Sequence, residues 1–452
     1  MRLEELKRLT IASLITTVCI GWGAARGGVS TEAGGAQKAG SPTNVILITI
    51  STLRADHVSC FGYERRTTPN LDKVAKKRIL FRNAFAASGW MMPAYGSIFT
   101  SLYPSTHGAT HIDKRLADKQ ETLAEMLKQN GYYCAGFCCG PRLDRKYGFG
   151  QGFDLYDDYS VPMMLESLAF EDEKAPDINK KRTNDLINDA AIRWLGKNKH
   201  EPFFLFVHYY DNHWDYLPPA PYNQMYDPGY KGSIDGTEIA REPLFSNPPK
   251  EEDIRHIIAL YDGEVRQTDE DLGEMLDCLS KARLWENSIV IILGDHGDLF
   301  YEHGHTSHHG VYDELIHVPL VVSIPQMQAS GKVVDGLVSQ LDILPTILDY
   351  LEIPIPERCR GRSFRPLIEG KAETVNDFVF TEYTGGAAPD TYALRSTRYK
   401  YCRQAGSKPF AYDLAKDPGE QNKIFAEVFT PEIITLKKAL QKPLQENGYP
   451  SN

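Results

Sequence analysis

Four runs of consecutive apolar residues restrict what this chain can fold into: Asn44–Ile50 (NVILITI), Pro202–Tyr209 (PFFLFVHY), Ser288–Leu293 (SIVIIL) and Pro319–Ile324 (PLVVSI). A strand with one wet face alternates apolar and polar residues, so runs without alternation mark strands covered on both faces. Between them lie amphipathic stretches with helical spacing: Asn70–Lys77 opened by Pro69, Glu121–Gln129 ended by Gly131, Thr183–Leu195 and Glu251–Ala282. Tyr132–Cys138 reads as a further strand, and Gly96–Leu102 as a short helix behind a Met91-Met92-Pro93 turn. Strands and helices alternating in this way predict an α/β fold, with a mainly parallel central sheet and helices on both faces.

From Phe378 the texture changes to short runs separated by turns (FVFTEY, YALRS, YKYCR, FAYDL), closed by a helix over Glu432–Gln441. That pattern predicts a small antiparallel C-terminal sheet packed with one helix. We divide the chain into residues 1–26, a signal peptide or N-terminal anchor, and a Gly-, Ala- and Ser-rich flexible linker over 27–42. The main α/β domain then spans 43–365 and a C-terminal α+β subdomain 366–452. Asp157–Lys181 and the proline-rich Leu217–Lys250 resist assignment, and segments of such length are usually lids or substrate-contacting surfaces.

The N-terminus reads as an export signal: Arg2, Lys7 and Arg8 precede an apolar run from Leu9 to Trp22, followed by Ala24 and Ala25. An uncleaved membrane anchor, with a run shorter than the ~20 residues of a comfortable span, and a cytoplasmic chain with an apolar tail are the alternatives. The export reading predicts a periplasmic, secreted or membrane-anchored chain. Sixty acidic against fifty basic residues give a net charge of -10, which excludes the basic footprint of a nucleic-acid binder. An acidic surface also repels anionic substrates unless a local cation counters it. The cysteines show no metal-ligand spacing and read as small buried hydrophobes.

Ligands of such sheets sit outside the carboxyl ends of the strands. Those positions hold Ser51, Thr52 and Arg54 after the first run, Asp211, Asn212 and His213 after the second, and Asp295, His296 and Asp298 after the third. Downstream lies a histidine-dense loop with His303, His305, His308 and His309. A carboxylate beside an imidazole on one tight turn suits a divalent cation, because both present lone pairs. A capping Asp with a surface His is the bland alternative, and the crowd of further histidines favours a functional site.

These residues carry a resemblance. NVILITISTLRADHVSCFGY, TTPNLDKVA, PAYGSIFTSLYPSTHG, FLFVHYYDNHWDY, VIILGDHGDLFYEHG, HHGVYDELIHVPLVV, LVSQLDILPTILDYL and AYDLAKDPGEQN, in that order, resemble segments of the sulfatase family. The family is part of the alkaline-phosphatase-like superfamily. The resemblance implies hydrolysis of sulfate, phosphate or phosphonate esters with a divalent cation, usually calcium. It implies that Asp295 and His296 are a metal-ligand pair, that His213 lies near the leaving oxygen, and that His309 holds the sulfate or phosphate.

Two departures stand out. Ser51 occupies the position of a metal-ligand Asp. Met91 occupies the position of the nucleophile, which in many members is a Cys or Ser matured to formylglycine. A thioether has no ionisable proton and cannot become formylglycine, so no covalent route is open at Met91. Thr52, Ser88 and Ser97 are the nearby hydroxyls that a relocated nucleophile would need. Two readings follow: a metal-dependent ester hydrolase working by a variant mechanism, or a catalytically inactive relative binding a small anionic ester or sulfated glycan.

Overall fold

The computed structural model describes residues 44–140, 142–158, 182–198, 202–237, 249–325, 327, 331–386, 388–446 and 448–449. The segments 1–26 and 27–42 lie outside the described residues, as do 159–181 and 238–248 from the two unassigned stretches. No described helix is long and apolar enough to cross a membrane.

The four apolar runs become strands β1 (Asn44–Ile50), β5 (Phe203–Tyr209), β6 (Ser288–Gly294) and β9 (His317–Ser323). They are joined by β2 (Ile79–Phe85), β3 (Tyr133–Phe137), β4 (Leu155–Asp157), β10 (Lys332–Val334) and β11 (Val338–Ser339). The sheet order is β10-β2-β9-β6-β1-β5-β3-β4, with β11 beside β2. Only β9 runs against its neighbours β2 and β6; the other pairings are parallel. The mainly parallel sheet is therefore as the sequence predicts.

Alternate side chains of each central strand feed two cores. Val45, Leu47, Phe204, Phe206, Ile289 and Ile291 point to one face, which the helices Met91–Thr100, Leu123–Gln129 and Ile343–Tyr350 cover. Ile46, Ile48, Leu205, Val207, Val290 and Ile292 point to the other, covered by Pro69–Ala75, Thr183–Asn198 and Glu251–Lys281. Burial of both faces is why these strands read as unbroken apolar runs.

Two local expectations need correction. The Met91-Met92-Pro93 stretch is the first turn of the helix Met91–Thr100, not a turn before it. Proline fits there because the first-turn N–H groups have no intrahelical acceptor. Second, β2 has no place in the sequence reading, since exposed Arg82 and half-buried Asn83 interrupt its apolar residues where its register with β9 shifts.

Inside the loop after β6, β7 (Leu299–Phe300) pairs with β8 (Thr306–Ser307). The C-terminal strands β12 (Val379–Tyr383), β13 (Thr391–Arg395), β14 (Tyr399–Gln404), β15 (Phe410–Asp413) and β16 (Ile424–Phe425) form one antiparallel sheet. The helix Pro431–Glu446 packs Ile433, Leu436, Leu440 and Leu444 against Phe380, Leu394 and Tyr401 of that sheet. All seven described cysteines are free thiols.

Candidate active site

The site's floor is where β1 and β6 end side by side. Ser51, Asp295 and His296 are fully buried. One oxygen of Asp295 accepts the backbone N–H of Thr52 at 2.8 Å and of His296 at 2.6 Å. The other accepts the Ser51 hydroxyl at 3.5 Å. Thr52 delivers its N–H from a left-handed turn (φ 47°), a conformation a threonine adopts only when its surroundings enforce it. The enforcement is visible: its hydroxyl donates to Asn212 O at 2.8 Å, and its carbonyl accepts from Tyr261 at 2.7 Å. Burial nonetheless pushes the Asp295 carboxyl up to about 8, because the N–H donors offset only part of the lost hydration.

The wall is an arc of imidazoles. The His308 ring lies 5.0 Å from His296, 5.3 Å from His213 and 5.8 Å from His309. Each outer ring is oriented through Nδ1: His296 to Gly297 O at 2.8 Å, His213 to Trp214 O at 2.9 Å, and His309 to the Tyr383 hydroxyl at 2.8 Å. With Nδ1–H given to a carbonyl, Nε2 of His296 carries its lone pair inward and has no hydrogen-bond partner among the described residues. Burial lowers His213 and His309 to about 4, so both rings are neutral near pH 7. His303 and His305 stay out of the arc: the first stacks on Tyr312 at 3.5 Å, and the second bonds Thr306 O at 3.2 Å.

Met91 is brought to the same corner. A Cβ on Gly140 would stand 3.3 Å from the Met91 sulfur and 3.3 Å from the Tyr210 ring, and Tyr210 stacks on His213 at 4.9 Å. The position expected to hold a nucleophile therefore adjoins the histidine arc and presents a thioether. Of the nearby hydroxyls, Thr52 donates to Asn212 O, and Ser97 faces fully buried His107 at 3.3 Å.

The sequence reading missed several members. His208 interrupts the apolar run of β5, and bonds the Tyr95 hydroxyl at 2.7 Å and Thr49 at 3.1 Å beneath the floor. A lone imidazole in a strand buried on both faces was the available signal. His308 stands in the histidine-dense loop, and nothing in sequence marks it as the hub. Tyr383 comes from the C-terminal sheet, which sequence separates from the pocket.

The donor set does not fit a divalent cation. Ser51 is neutral and donates its hydroxyl to Asp295, where a cation would need a second carboxylate. Asp298, the next acid, accepts Tyr216 at 2.7 Å and lies 3.7 Å from His308. Among the described residues no three His, Cys, Asp or Glu converge as a metal set. Asp295 and His296 alone, 3.7 Å apart, are two ligands of a set that needs more.

Residues 43–353 match the family model for sulfatases. The chain belongs to the sulfatase family. Residues 301–447 also match the model for the C-terminal region of N-sulphoglucosamine sulphohydrolase, which places the C-terminal sheet within the family's architecture. This sulfatase-family chain is 26% identical over 470 residues to an arylsulfatase of Clostridium perfringens, covering 90% of this chain and 95% of the relative. It is 25% identical over 454 residues to a Δ4,5-hexuronate-2-O-sulfatase of Bacteroides thetaiotaomicron, covering 90% and 89%. The solved phosphonate monoester hydrolase of Agrobacterium radiobacter has the same fold, with a TM-score of 0.75 at 23% identity, covering 90% of this chain and 96% of that one.

Proposed function

We propose that this chain uses the sulfatase scaffold to bind a sulfated or otherwise anionic ester at the histidine arc without hydrolysing it covalently. The observation that carries the reading is Met91: across Gly140 from Tyr210, on which His213 stacks, the expected nucleophile position holds a thioether that cannot form a covalent intermediate. Relatives named for arylsulfate and hexuronate-2-O-sulfate support a sulfated glycan or aryl ester as the ligand class. Ligands that bind only the folded state raise its melting temperature, by an amount that grows with the logarithm of ligand concentration above Kd. Sulfated oligosaccharides should therefore raise Tm while releasing no sulfate, and a flat response to all of them would end this reading.

A second reading, hydrolysis of sulfate, phosphate or phosphonate esters by water, is favoured by one feature, the inward lone pair of His296, which is placed to accept a proton. We route no step through calcium, the cation the resemblance implies, because Ser51 and Asp295 supply too little of its shell. The charged start and apolar run of residues 1–26 support export or membrane anchoring, which cell fractionation tests. The division into domains at 365/366 is likewise part of this proposal, and limited proteolysis is its test.

A further inference from the structure

Three rings of the histidine arc are oriented through Nδ1, but not by the same kind of partner. His296 and His213 face carbonyl oxygens, Gly297 O at 2.8 Å and Trp214 O at 2.9 Å. A carbonyl only accepts, so each neutral ring keeps its proton on Nδ1 and carries a lone pair on Nε2. His309 faces a hydroxyl instead, that of Tyr383 at 2.8 Å, and a hydroxyl can donate or accept. Which it does decides whether His309 offers a lone pair or an N–H at Nε2.

The surroundings of Tyr383 decide it. This residue ends β12, opposite Thr391 of β13, and the turn between the two strands folds back onto its hydroxyl. Ala388 N–H reaches the phenolic oxygen at 3.4 Å, and a Cβ on Gly386 would overlap that oxygen. The oxygen thus receives one N–H and has a proton of its own to place. Tyr383 is buried, where a polar hydrogen needs an acceptor, and His309 Nδ1 stands at hydrogen-bonding distance. The strand is fastened as well: Thr381 Oγ1 donates to Ala86 O at 2.9 Å and Glu382 N to Ala87 O at 3.0 Å, in the segment that follows β2.

We infer that Tyr383 is a positioning residue of the strand-end site: by donating to Nδ1 it holds His309 in the Nε2–H tautomer, so one ring of the arc offers a hydrogen-bond donor where His213 and His296 offer lone pairs. Burial, which lowers His309 to about 4, keeps the ring neutral near pH 7, so its tautomer and not its charge is what Tyr383 controls. An anion accepts hydrogen bonds and is repelled by lone pairs. In its effect on a ligand this role rests on the proposed anion-binding reading; in its geometry it does not. The C-terminal sheet thereby gains a part in a site built at the ends of the large one.

The test is two-bond proton–nitrogen NMR of the full chain with labelled histidines at pH 7, which shows which nitrogen of each imidazole carries the proton. The His309 signals are those missing from His309→Gln. Wild type should show His309 protonated on Nε2. Tyr383→Phe, which removes only the hydroxyl, and Gly386→Ala, which displaces it, should both move His309 toward the Nδ1–H form. A purely structural role for Tyr383 would lower Tm and leave the tautomer where it was. Titration with inorganic sulfate at low ionic strength should then find both variants weaker by about threefold to tenfold, the worth of one hydrogen bond. A wild-type His309 protonated on Nδ1, or a tautomer unmoved in both variants, overturns the role of Tyr383. Sulfate affinity equal in wild type and variants overturns its bearing on the ligand. A tautomer that moves as expected, in a wild type that binds no sulfate, leaves Tyr383 as the positioning residue and overturns the anion-binding reading.

Discussion

Two buried polar regions of this molecule are built on opposite principles. Where the C-terminal sheet meets the large one, buried charges are matched: Lys400 lies 2.8 Å from Glu420, 2.6 Å from Asp313 and 2.9 Å from Val311 O, while Arg395 grips Asp313 at 2.9 Å. At the strand-end pocket the polar atoms outnumber their partners. His296 Nε2, His208 Nε2 and both amide atoms of fully buried Asn212 have no hydrogen-bond partner among the described residues. A buried polar group without a partner costs about 1–3 kcal/mol. Unpartnered atoms occur elsewhere too, Glu420 Oε1 among them, but at the strand ends several stand together, which suits something that arrives from outside.

The largest effect should come from breaking the matched region. Lys400→Met strands Asp313 and Glu420 in a buried site, and removing one partner of such a cluster costs about 3–5 kcal/mol. Urea denaturation reads it; a loss under ~1 kcal/mol would mean the cluster is solvated. The pocket floor should come next. Asp295→Ala leaves the Thr52 and His296 N–H groups unmatched, for a loss of roughly 2–6 kcal/mol, since each orphaned donor costs about 1–3 kcal/mol. The arc itself should be cheaper to alter, because His213 holds one local hydrogen bond, to Trp214 O, and its ring contacts. His213→Gln is expected to change stability by less than ~1 kcal/mol while abolishing ligand-induced stabilisation.

Ser51→Asp sharpens the contrast from the other direction. Restoring the second carboxylate should let millimolar calcium raise Tm by several degrees, where the wild type responds by about a degree or less. Equal calcium responses would show that the missing charge is not what keeps the cation out. The smallest effect concerns pH. Glu382, on β12, is pushed up to about 7 by burial, with one oxygen accepting Ser105 N at 2.7 Å. A carboxyl with a raised folded-state pKa contributes stability that is complete below its unfolded value near ~4.3 and lost as pH rises through the folded one. Glu382→Gln should therefore remove part of the decline in stability between pH 4.5 and 7; an unchanged profile would assign the decline to other groups.

What the sequence made legible follows from what is local. β1, β5, β6 and β9 were readable because burial on both faces writes itself into consecutive residues, and strand-end logic then led to Ser51, His213, Asp295 and His296. Met91 was readable as a departure from the residue the resemblance leads one to expect there. β2 was hidden by Arg82 and Asn83, whose polarity masks a strand. The Tyr383 hydroxyl on His309 and the Lys400 cluster behind the histidine loop were not readable, because each joins residues more than 70 positions apart that only the docking of the C-terminal sheet brings together.

The central claim is that this pocket holds an anionic ester and leaves its bond intact. Incubating the full chain with 4-nitrophenyl sulfate, 4-nitrophenyl phosphate and a 4-nitrophenyl phosphonate ester, with and without calcium, magnesium, manganese or zinc, tests it most directly. The account predicts nitrophenolate release no faster from the wild type than from Asp295→Ala. Metal-dependent turnover by the wild type that disappears in Asp295→Ala would contradict it.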